Sequence, residues 1–309
     1  MTTATDLGGG VPHLEGPDLN ISEARARCSL WWRRVPELPG CRVGCIGNLA
    51  AVECSIEPAL DLACEELQRQ GCTLAIGPMD GSTWRSYRLV TESHCAQSFL
   101  FDVNNPPEWH GQFLRRGFKQ IATYFSSAVA EVSTAARDMA EQEGRLEKLG
   151  IHIRSFDVKR FDSDLNILYR IASAAFADSF LYRSISWLEF LALYHPLRES
   201  VDPEFVLIAE QLGEPVGFIF AMPDLLQVRN GMVPDTVVIK TLGILKLCQG
   251  LGLGSVLVER VQGSAKQRGY KRAIHALMRS DNNSVQISAH SGQVIRRYGL
   301  FARRLAGEP

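Results

Sequence analysis

The sequence predicts an α/β fold built on a mixed, mostly antiparallel sheet flanked by helices, and three observations carry that prediction. Strand-like and helix-like segments alternate along most of the 309 residues. Three β-branched runs in the second half follow one another with little between them, which favours antiparallel pairing. One strand, a glycine-rich loop, an amphipathic helix and a further strand then succeed each other over 235–278, the order of a parallel crossover.

Taken in order, residues 1–20 are rich in Gly, Pro and Thr without periodicity and read as a flexible tail. Strand-like stretches cover 24–32 and 41–54, joined by a turn around Pro36–Gly40. Leu60, Ala63, Cys64 and Leu67 fall at helical spacing over 56–70, and Gly71 closes that helix. A strand follows at 72–78, then a polar loop at 80–92, an extended segment into a proline turn at 99–109, a short helix over 108–118 and a strand at 119–129. Residues 131–149 shift to Ala, Glu, Arg and Lys, as a polar helix ending at Gly150, which suits a connection between domains.

The second half opens with a strand at 151–158 and two helices, 164–178 and 186–197. Strands at 205–211, 215–224 and 235–245 lead to the glycine-rich loop, a helix over 255–269, a strand at 272–278 and a closing segment. The expected division is a tail (1–20), a first domain (21–130), a helical linker (131–150) and a second domain (151–309).

Composition excludes several function classes. Hydrophobic residues make up 46% and charged residues 22%, enough apolar content for a packed core. The net charge of −1 does not suit a chain dedicated to nucleic acid, although RRYGLFARR (296–304) is locally basic. No apolar run approaches the roughly 18–20 residues that a membrane span requires, and the first eighteen residues lack a positive leader and an apolar core. A cytoplasmic protein, monomeric or homodimeric, is expected. Cysteines stand at 28, 41, 45, 54, 64, 72, 95 and 248 with no CxxC, mostly in apolar company, so reduced structural thiols and no metal are expected.

The sharpest local signal is LGILKLCQGLGLGSVLV (242–258). Glycines let successive backbone N–H groups turn inward and the helix start adds its positive end, which together make an anion site. A Walker loop is excluded because GK[ST] is missing, and a dinucleotide fingerprint fails because Ser255 or Leu257 stands where its last glycine belongs. What remains is Q-x-x-G-x-G from Gln249 to Gly254; glycine-rich turns before helices are also common packing devices.

In its context that pattern resembles the GCN5-related N-acetyltransferase (GNAT) family, whose acetyl-coenzyme A motif is a strand, a short link, [QR]-x-x-G-x-[GA], a helix and a strand. The resemblance covers about 151–301. It implies a sheet splayed open between the strand ending at Ile244 and the strand beginning near Arg272, with acetyl-CoA in the splay. The pantetheine arm would lie beside Leu242, Gly243 and Ile244. The pyrophosphate would meet the loop of Gln249, Gly250, Leu251, Gly252, Leu253, Gly254 and Ser255. Asn282 and Asn283 would be further coenzyme contacts. Lys266, Arg268, Lys271 and Arg272 would meet the ribose phosphate or form a solvated helix face.

Acid and base are less defined by the resemblance. Where the family often has a Tyr, this chain has His290-Ser291; His290 is a candidate acid, or a surface residue. Lys240 and Thr241 occupy positions where a family base is sometimes a Glu. Asp224 and Tyr182 fall on the expected acceptor side as candidate catalytic or substrate-contacting groups, or as structural ones.

Residues 24–128 repeat the same order in shortened form, with AVECSIEPA where the phosphate loop should stand. The chain therefore resembles tandem acetyltransferase-fold proteins whose first copy has lost its coenzyme site. Loop 77–92, rich in hydroxyl, aromatic and Arg side chains, lines an acceptor pocket or is plain polar surface. The implied activity is acetyl transfer to an amine of a small molecule or peptide, with a non-catalytic CoA-sensing protein as the alternative. Residues 1–150 hold 14 Lys+Arg against 19 Asp+Glu and residues 151–309 hold 19 against 15, so the half with the phosphate loop is the positive one.

Overall fold

The structure is a computed structural model that describes residues 16–23, 25–52, 55–95, 97–130, 136–280 and 292–305. The first half runs β1 (Leu19–Glu23), β2 (Ala26–Trp31), β3 (Val43–Ala51), α1 (Glu57–Arg69), β4 (Leu74–Gly77), β5 (Leu89–Ser93), α2 (Glu108–Arg115) and β6 (Lys119–Ala130). Helix α3 (Ala136–Lys148) leads to β7 (Ile151–Ser155), α4 (Phe161–Ala175), α5 (Trp187–Tyr194), β8 (Val206–Gln211) and β9 (Glu214–Pro223). A short α6 (Leu225–Arg229), β10 (Thr236–Ile244), α7 (Leu253–Gln267), β11 (Arg272–Arg279) and β12 (Gln293–Arg304) complete the described chain.

All twelve strands belong to one sheet in the order β1-β2-β3-β4-β12-β6-β11-β10-β9-β8-β7, with β5 also paired to β12. Two pairs are parallel, β3 with β4 and β10 with β11, and each is bridged by one helix, α1 or α7. The remaining pairs are antiparallel. The order expected from the sequence is thus present twice, once in each half.

The two copies do not close separately. β6, the last strand of the first half, pairs along one edge with β11. β12, the last strand of the second half, inserts between β6 on one side and β4 and β5 on the other. Each half therefore ends on a strand that completes the other. The sequence pattern of β12 explains its fit: Tyr298, Leu300 and Ala302 join one buried cluster while Phe301 joins the opposite one, the period of two expected of a strand covered on both faces. At Gly299 a Cβ would stand 2.8 Å from the Phe301 ring and 3.0 Å from Gln120, so only glycine fits that crossing.

Helices cover the sheet in layers. α1 and α2 pack on one face of the first half through Leu60, Ala63, Leu67, Trp109 and Phe113. In the second half α4 and α5 cover one face through Leu165, Leu168, Ile171 and Phe190. α7 covers the other, joined by Leu146 of α3. The segment expected as a linker is therefore also a packing element: Arg260 of α7 donates to Glu143 of α3 at 2.6 Å. α5 begins at Ser186 with a capping box, in which Ser186 Oγ accepts from Glu189 N–H and Glu189 accepts from Ser186 N–H.

Several boundaries differ from the sequence reading. Order begins before residue 20, because β1 starts at Leu19 and the Asp18 carboxylate accepts from Trp32 and Arg33 N–H at 2.7 and 3.1 Å. The stretch read as one strand at 24–32 is the second arm of a hairpin. The polar loop 80–92 gives up its end to β5. α7 starts at Leu253, two residues early, because Gly252 itself serves as the N-cap. The basic run 296–304 is an interior strand, with Arg296 paired to Asp102 and Arg297 to Glu92.

Because Phe301 is fully buried against Phe113 of the first-half core, Phe301→Ala is expected to cost about 3–5 kcal/mol of stability. Guanidinium unfolding measures it, and a cost under about 1 kcal/mol, within the range of a surface change, would be inconsistent with exchanged terminal strands.

Candidate active site

The site is built where β10 and β11 part. They pair in parallel from Thr236↔Arg272 to Ile239↔His275 and no further, although β10 runs on to Ile244 and β11 to Arg279. Both strands lose register at that point. Lys240 is an extra residue in the β10–β9 ladder, and Ala276 and Leu277 together oppose Ser126 in the β11–β6 ladder. Such bulges bend a strand and re-aim its side chains. Leu277 adopts φ +60, and both its backbone polar groups are met by side chains: its N–H donates to Ser126 Oγ at 2.9 Å and its carbonyl accepts from Arg88 Nη1 at 2.9 Å.

Beyond Ile239 the edge of β10 is open. Leu245 N–H bonds Val216 O toward β9, so strand alternation turns the N–H groups of Leu242 and Ile244 toward the gap. The Ile244 carbonyl on that side is taken by Gln249 Nε2 at 3.1 Å, which ties the loop's first residue to the strand. Gly243 is fixed by packing, since a Cβ there would lie 2.6 Å from the Phe218 ring.

At the head of α7 the loop turns on Gly250 (φ +80) and Gly252 (φ +84), conformations that L side chains rarely adopt. The amides of Leu253, Gly254 and Ser255 occupy the first helical turn, where no intrahelical acceptor exists. A Cβ at Gly250 would meet nothing within 4 Å, and one at Gly252 only Gln142 Oε1 at 3.8 Å, so no other side chain crowds the two glycines. That Gln142 oxygen, from α3, is buried without a hydrogen-bond partner. A half-turn of the amide presents its NH₂ to the loop instead. Strand edge, open glycine loop and helix dipole together fit a pantetheine–pyrophosphate ligand.

A cavity of 550 Å³ opens from the gap between β10 and β11. Its walls come from both halves: residues 83–88 and 101–103 from the first, and α4, the loop before α5, α5, β10 and β11 from the second. Trp84 Nε1 donates to Arg183 O at 2.7 Å, and its ring meets Tyr182 and Phe190 edge-on. Arg88, buried and itself at φ +79, lies 3.8 Å from the Tyr87 ring centroid and 4.1 Å from that of Tyr124. Burial and the neighbouring Tyr87 raise the Tyr124 phenol above its ordinary range.

Two polar groups in the walls are already committed. Asp102 accepts from Arg296 at 2.5 Å and from Tyr298 OH at 2.8 Å; burial raises its carboxyl, with Arg296 opposing. Tyr298 continues to Ser126, the partner of Leu277 N–H. His275 of β11 contacts Gln262 at 3.0 Å through Nε2, and burial lowers its pKa to about 4, so it is neutral at pH 7.

The structure brings some of the sequence-derived candidates together. Leu242 and Tyr182 line the cavity, and Gly243, Ile244 and residues 249–255 form the adjoining strand edge and loop. Tyr182 is half-buried, its OH donating to Ser173 O at 3.3 Å, and burial raises its pKa. Asp224 does not line the cavity. It caps α6 and accepts from Leu226 and Leu100 N–H at 3.1 and 2.9 Å, a structural clamp that a carboxylate at a strand end supplies. His290, Asn282 and Asn283 lie outside the described residues. Arg268 and Arg272 are held by Asp202 and Asp235, as a solvated face would be. Arg88, His275 and the Asp102–Arg296 pair were missed; the excess of Arg and aromatic residues in 77–92 was the signal for the first.

Residues 166–290 match the model of the Acetyltransferase (GNAT) family. The second half is a GNAT domain. No curated protein matches the chain by sequence. Among solved structures, a GCN5-related N-acetyltransferase from Sphaerobacter thermophilus aligns at TM-score 0.54 and 13% identity, over 93% of this chain and 79% of that one. A tandem GNAT protein from the clavulanic acid biosynthesis pathway aligns at TM-score 0.52 and 9% identity, over 92% and 80%. The glucosamine N-acetyltransferase region of a fungal multi-domain β-N-acetylglucosaminidase aligns at 0.58 and 15%, over 90% of this chain but 31% of that protein. At these identities the likeness is one of fold. The first two share it across the GNAT domain and the half that precedes it. Among the described residues no group of His, Cys, Asp and Glu can hold a metal ion, and no helix is long and apolar enough to cross a membrane.

His275 gives the GNAT domain a pH signature. Its folded pKa of about 4 lies below the ordinary 6.5, so the unfolded chain binds the extra proton and stability falls as pH drops from 6.5 toward 4. Between pH 7 and pH 5 His275→Gln is expected to remove about 2 kcal/mol of that loss, read as the difference between denaturation curves at the two pH values.

Proposed function

We propose that the chain is an acyl-CoA-dependent N-acyltransferase that moves an acetyl group from acetyl-CoA to an amine by direct attack in the cavity. The observation that carries this reading is the coincidence of three features around one gap in the sheet: the parted β10–β11 edge, the glycine loop that follows β10 and the cavity.

The residues divide the work accordingly. The amides of Gly250–Ser255 and the α7 N-terminus would hold the pyrophosphate. The Leu242 and Ile244 N–H groups would pair with the pantetheine arm as an added strand, and the one nearest the thioester carbonyl would stabilise the oxyanion. The amine nitrogen attacks the thioester carbon, the C–N bond forms, the C–S bond breaks, and the departing thiolate takes up the proton that the amine loses. Of the cavity-wall hydroxyls that the sequence also singled out, Tyr182 and Thr241, the phenol of Tyr182 serves as the acid candidate. The first half supports the acceptor side alone: α1 begins with Glu57 and Pro58, and Ile56 N–H is already taken by Gln112 Oε1 at 2.7 Å.

The alternative is a CoA-binding protein without transfer, and one observation favours it: Asp102, the sole carboxylate in the described lining, is bound to Arg296 and Tyr298. Calorimetry with acetyl-CoA and a thiol-release assay separate the two. Saturable binding is expected, weakened at least about tenfold in Gly252→Glu, which puts a strained backbone and an anion where the pyrophosphate belongs. Absence of binding, or binding unchanged in Gly252→Glu, sinks both readings. Binding with no thiol release on any amine leaves only the alternative.

A further inference from the structure

The cavity's charge is one-sided. Arg88 and Lys240 both line it and neither is paired with a carboxylate among the described residues. Lys240 Nζ stands 3.4 Å from Tyr194 OH and over the rings of Phe101 and Tyr194, at 4.5 and 4.9 Å from their centroids. Arg279 adds a third cation above Phe180. The one carboxylate, Asp102, is neutralised by Arg296. An aromatic wall runs on from the Tyr194 ring under Lys240, with Phe190 against Tyr194 at 4.5 Å and Trp84 against Phe190 at 5.7 Å.

Arg88 is buried and Lys240 half-buried, and cations so placed with only rings and neutral oxygens for company carry an unmet demand for an anion. A polyamine or lysine side chain entering this space would add like charge with nothing to balance it. The placement of Lys240 is specific: it is the bulged residue of β10, next to the edge at which the thioester would lie. An anion held there keeps a neighbouring amine within reach of the thioester. The cations around that amine also disfavour its ammonium form, and so supply the free nucleophile that no carboxylate base in the wall provides.

We infer that the acceptor is an amine with an aromatic or apolar body that also carries an oxyanion, carboxylate or phosphate, bound by Lys240 and Arg88. This rests on the transferase reading for the word acceptor, but the binding preference stands apart from it. In the transfer the amine nitrogen gains the acyl carbon, the C–S bond breaks, and the thiolate collects the amine's proton.

The test uses the full chain and three ligands with one ring: phenylalanine, tyramine O-phosphate and tyramine, with spermidine as the cationic control. Calorimetry without coenzyme should show phenylalanine or the phosphate binding at least about tenfold tighter than tyramine, the weight of one charge-assisted contact. Lys240→Met should bring the anionic ligands to within about threefold of tyramine, and Lys240→Arg should restore the gap. Tyramine or spermidine binding as tightly as both anionic ligands in the unmodified chain overturns the inference without recourse to any variant. So does a gap that persists in Lys240→Met. Thiol release with acetyl-CoA then separates the two levels. Release on tyramine and spermidine as fast as on phenylalanine and the phosphate defeats the acceptor inference and leaves the transferase. No release at all, with the tenfold binding preference intact, defeats the transferase and leaves the oxyanion site.

Discussion

The pairing of β6 with β12 is the constraint on which the other features depend. These two strands lie side by side in the middle of the sheet, and each was delivered there by the other half of the chain. Their exchange commits both halves to one continuous set of ladder hydrogen bonds. It also fixes what stands opposite the mouth of the GNAT domain. Because β6 borders β11, the first half's loop 80–88 faces the gap between β10 and β11, and its Arg88 reaches the Leu277 carbonyl. Because β12 lies next to β6, Tyr298 bridges Asp102 and Ser126, and Ser126 satisfies the Leu277 amide. The active cavity is therefore assembled by sheet topology rather than by two finished domains meeting face to face.

The gap itself is kept open by irregular backbone whose polar groups are answered elsewhere. A regular β10–β11 ladder would zip shut beyond Ile239 and leave no room for a ligand. Lys240 on one strand and Ala276–Leu277 on the other break the register at the same level. Each buried amide or carbonyl left without a partner costs about 1–3 kcal/mol, which is the weight of the Arg88 and Ser126 contacts to Leu277. His275, at the last paired position, is held neutral by burial just below the cavity. The cavity thus has a neutral floor, and Arg88 and Lys240 are the cations in its walls that no described carboxylate pairs.

The sequence disclosed the elements that depend on neighbours along the chain. Leu60, Ala63, Cys64 and Leu67 marked α1, Gln249–Gly254 marked the loop, and the duplicated order of strand, helix and strand marked the two copies. Strand exchange was invisible because nothing local distinguishes a β12 that pairs with β11 from one that inserts beside β4; its alternation of Tyr298, Leu300 and Ala302 suits either. Asp224 read as an acceptor-side candidate because it ends a strand, and only the fold reveals Leu100 N–H arriving from the other half to occupy it. Arg88 and Asp102 were hidden for the same reason, since their partners, Leu277 and Arg296, stand 189 and 194 residues away.

The two crossover helices differ at their heads in what they offer an anion. α1 and α7 occupy equivalent places, each linking a parallel strand pair. At the head of α7 two glycines hold left-handed backbone, three first-turn amides are open, and no side chain fills the space. At the head of α1, Pro58 removes one amide, Glu57 brings a negative charge held by Arg115 at 2.9 Å, and Gln112 takes the Ile56 N–H. A phosphate there would meet the Glu57 carboxylate and fewer free donors than at the head of α7. Freed from that role, the first half contributes α1 and α2 to its own core and its loops to its neighbour's cavity. The asymmetry of charge follows the same division: the half with the glycine loop is the basic one, and the acidic half supplies a wall whose buried side chain is Arg88.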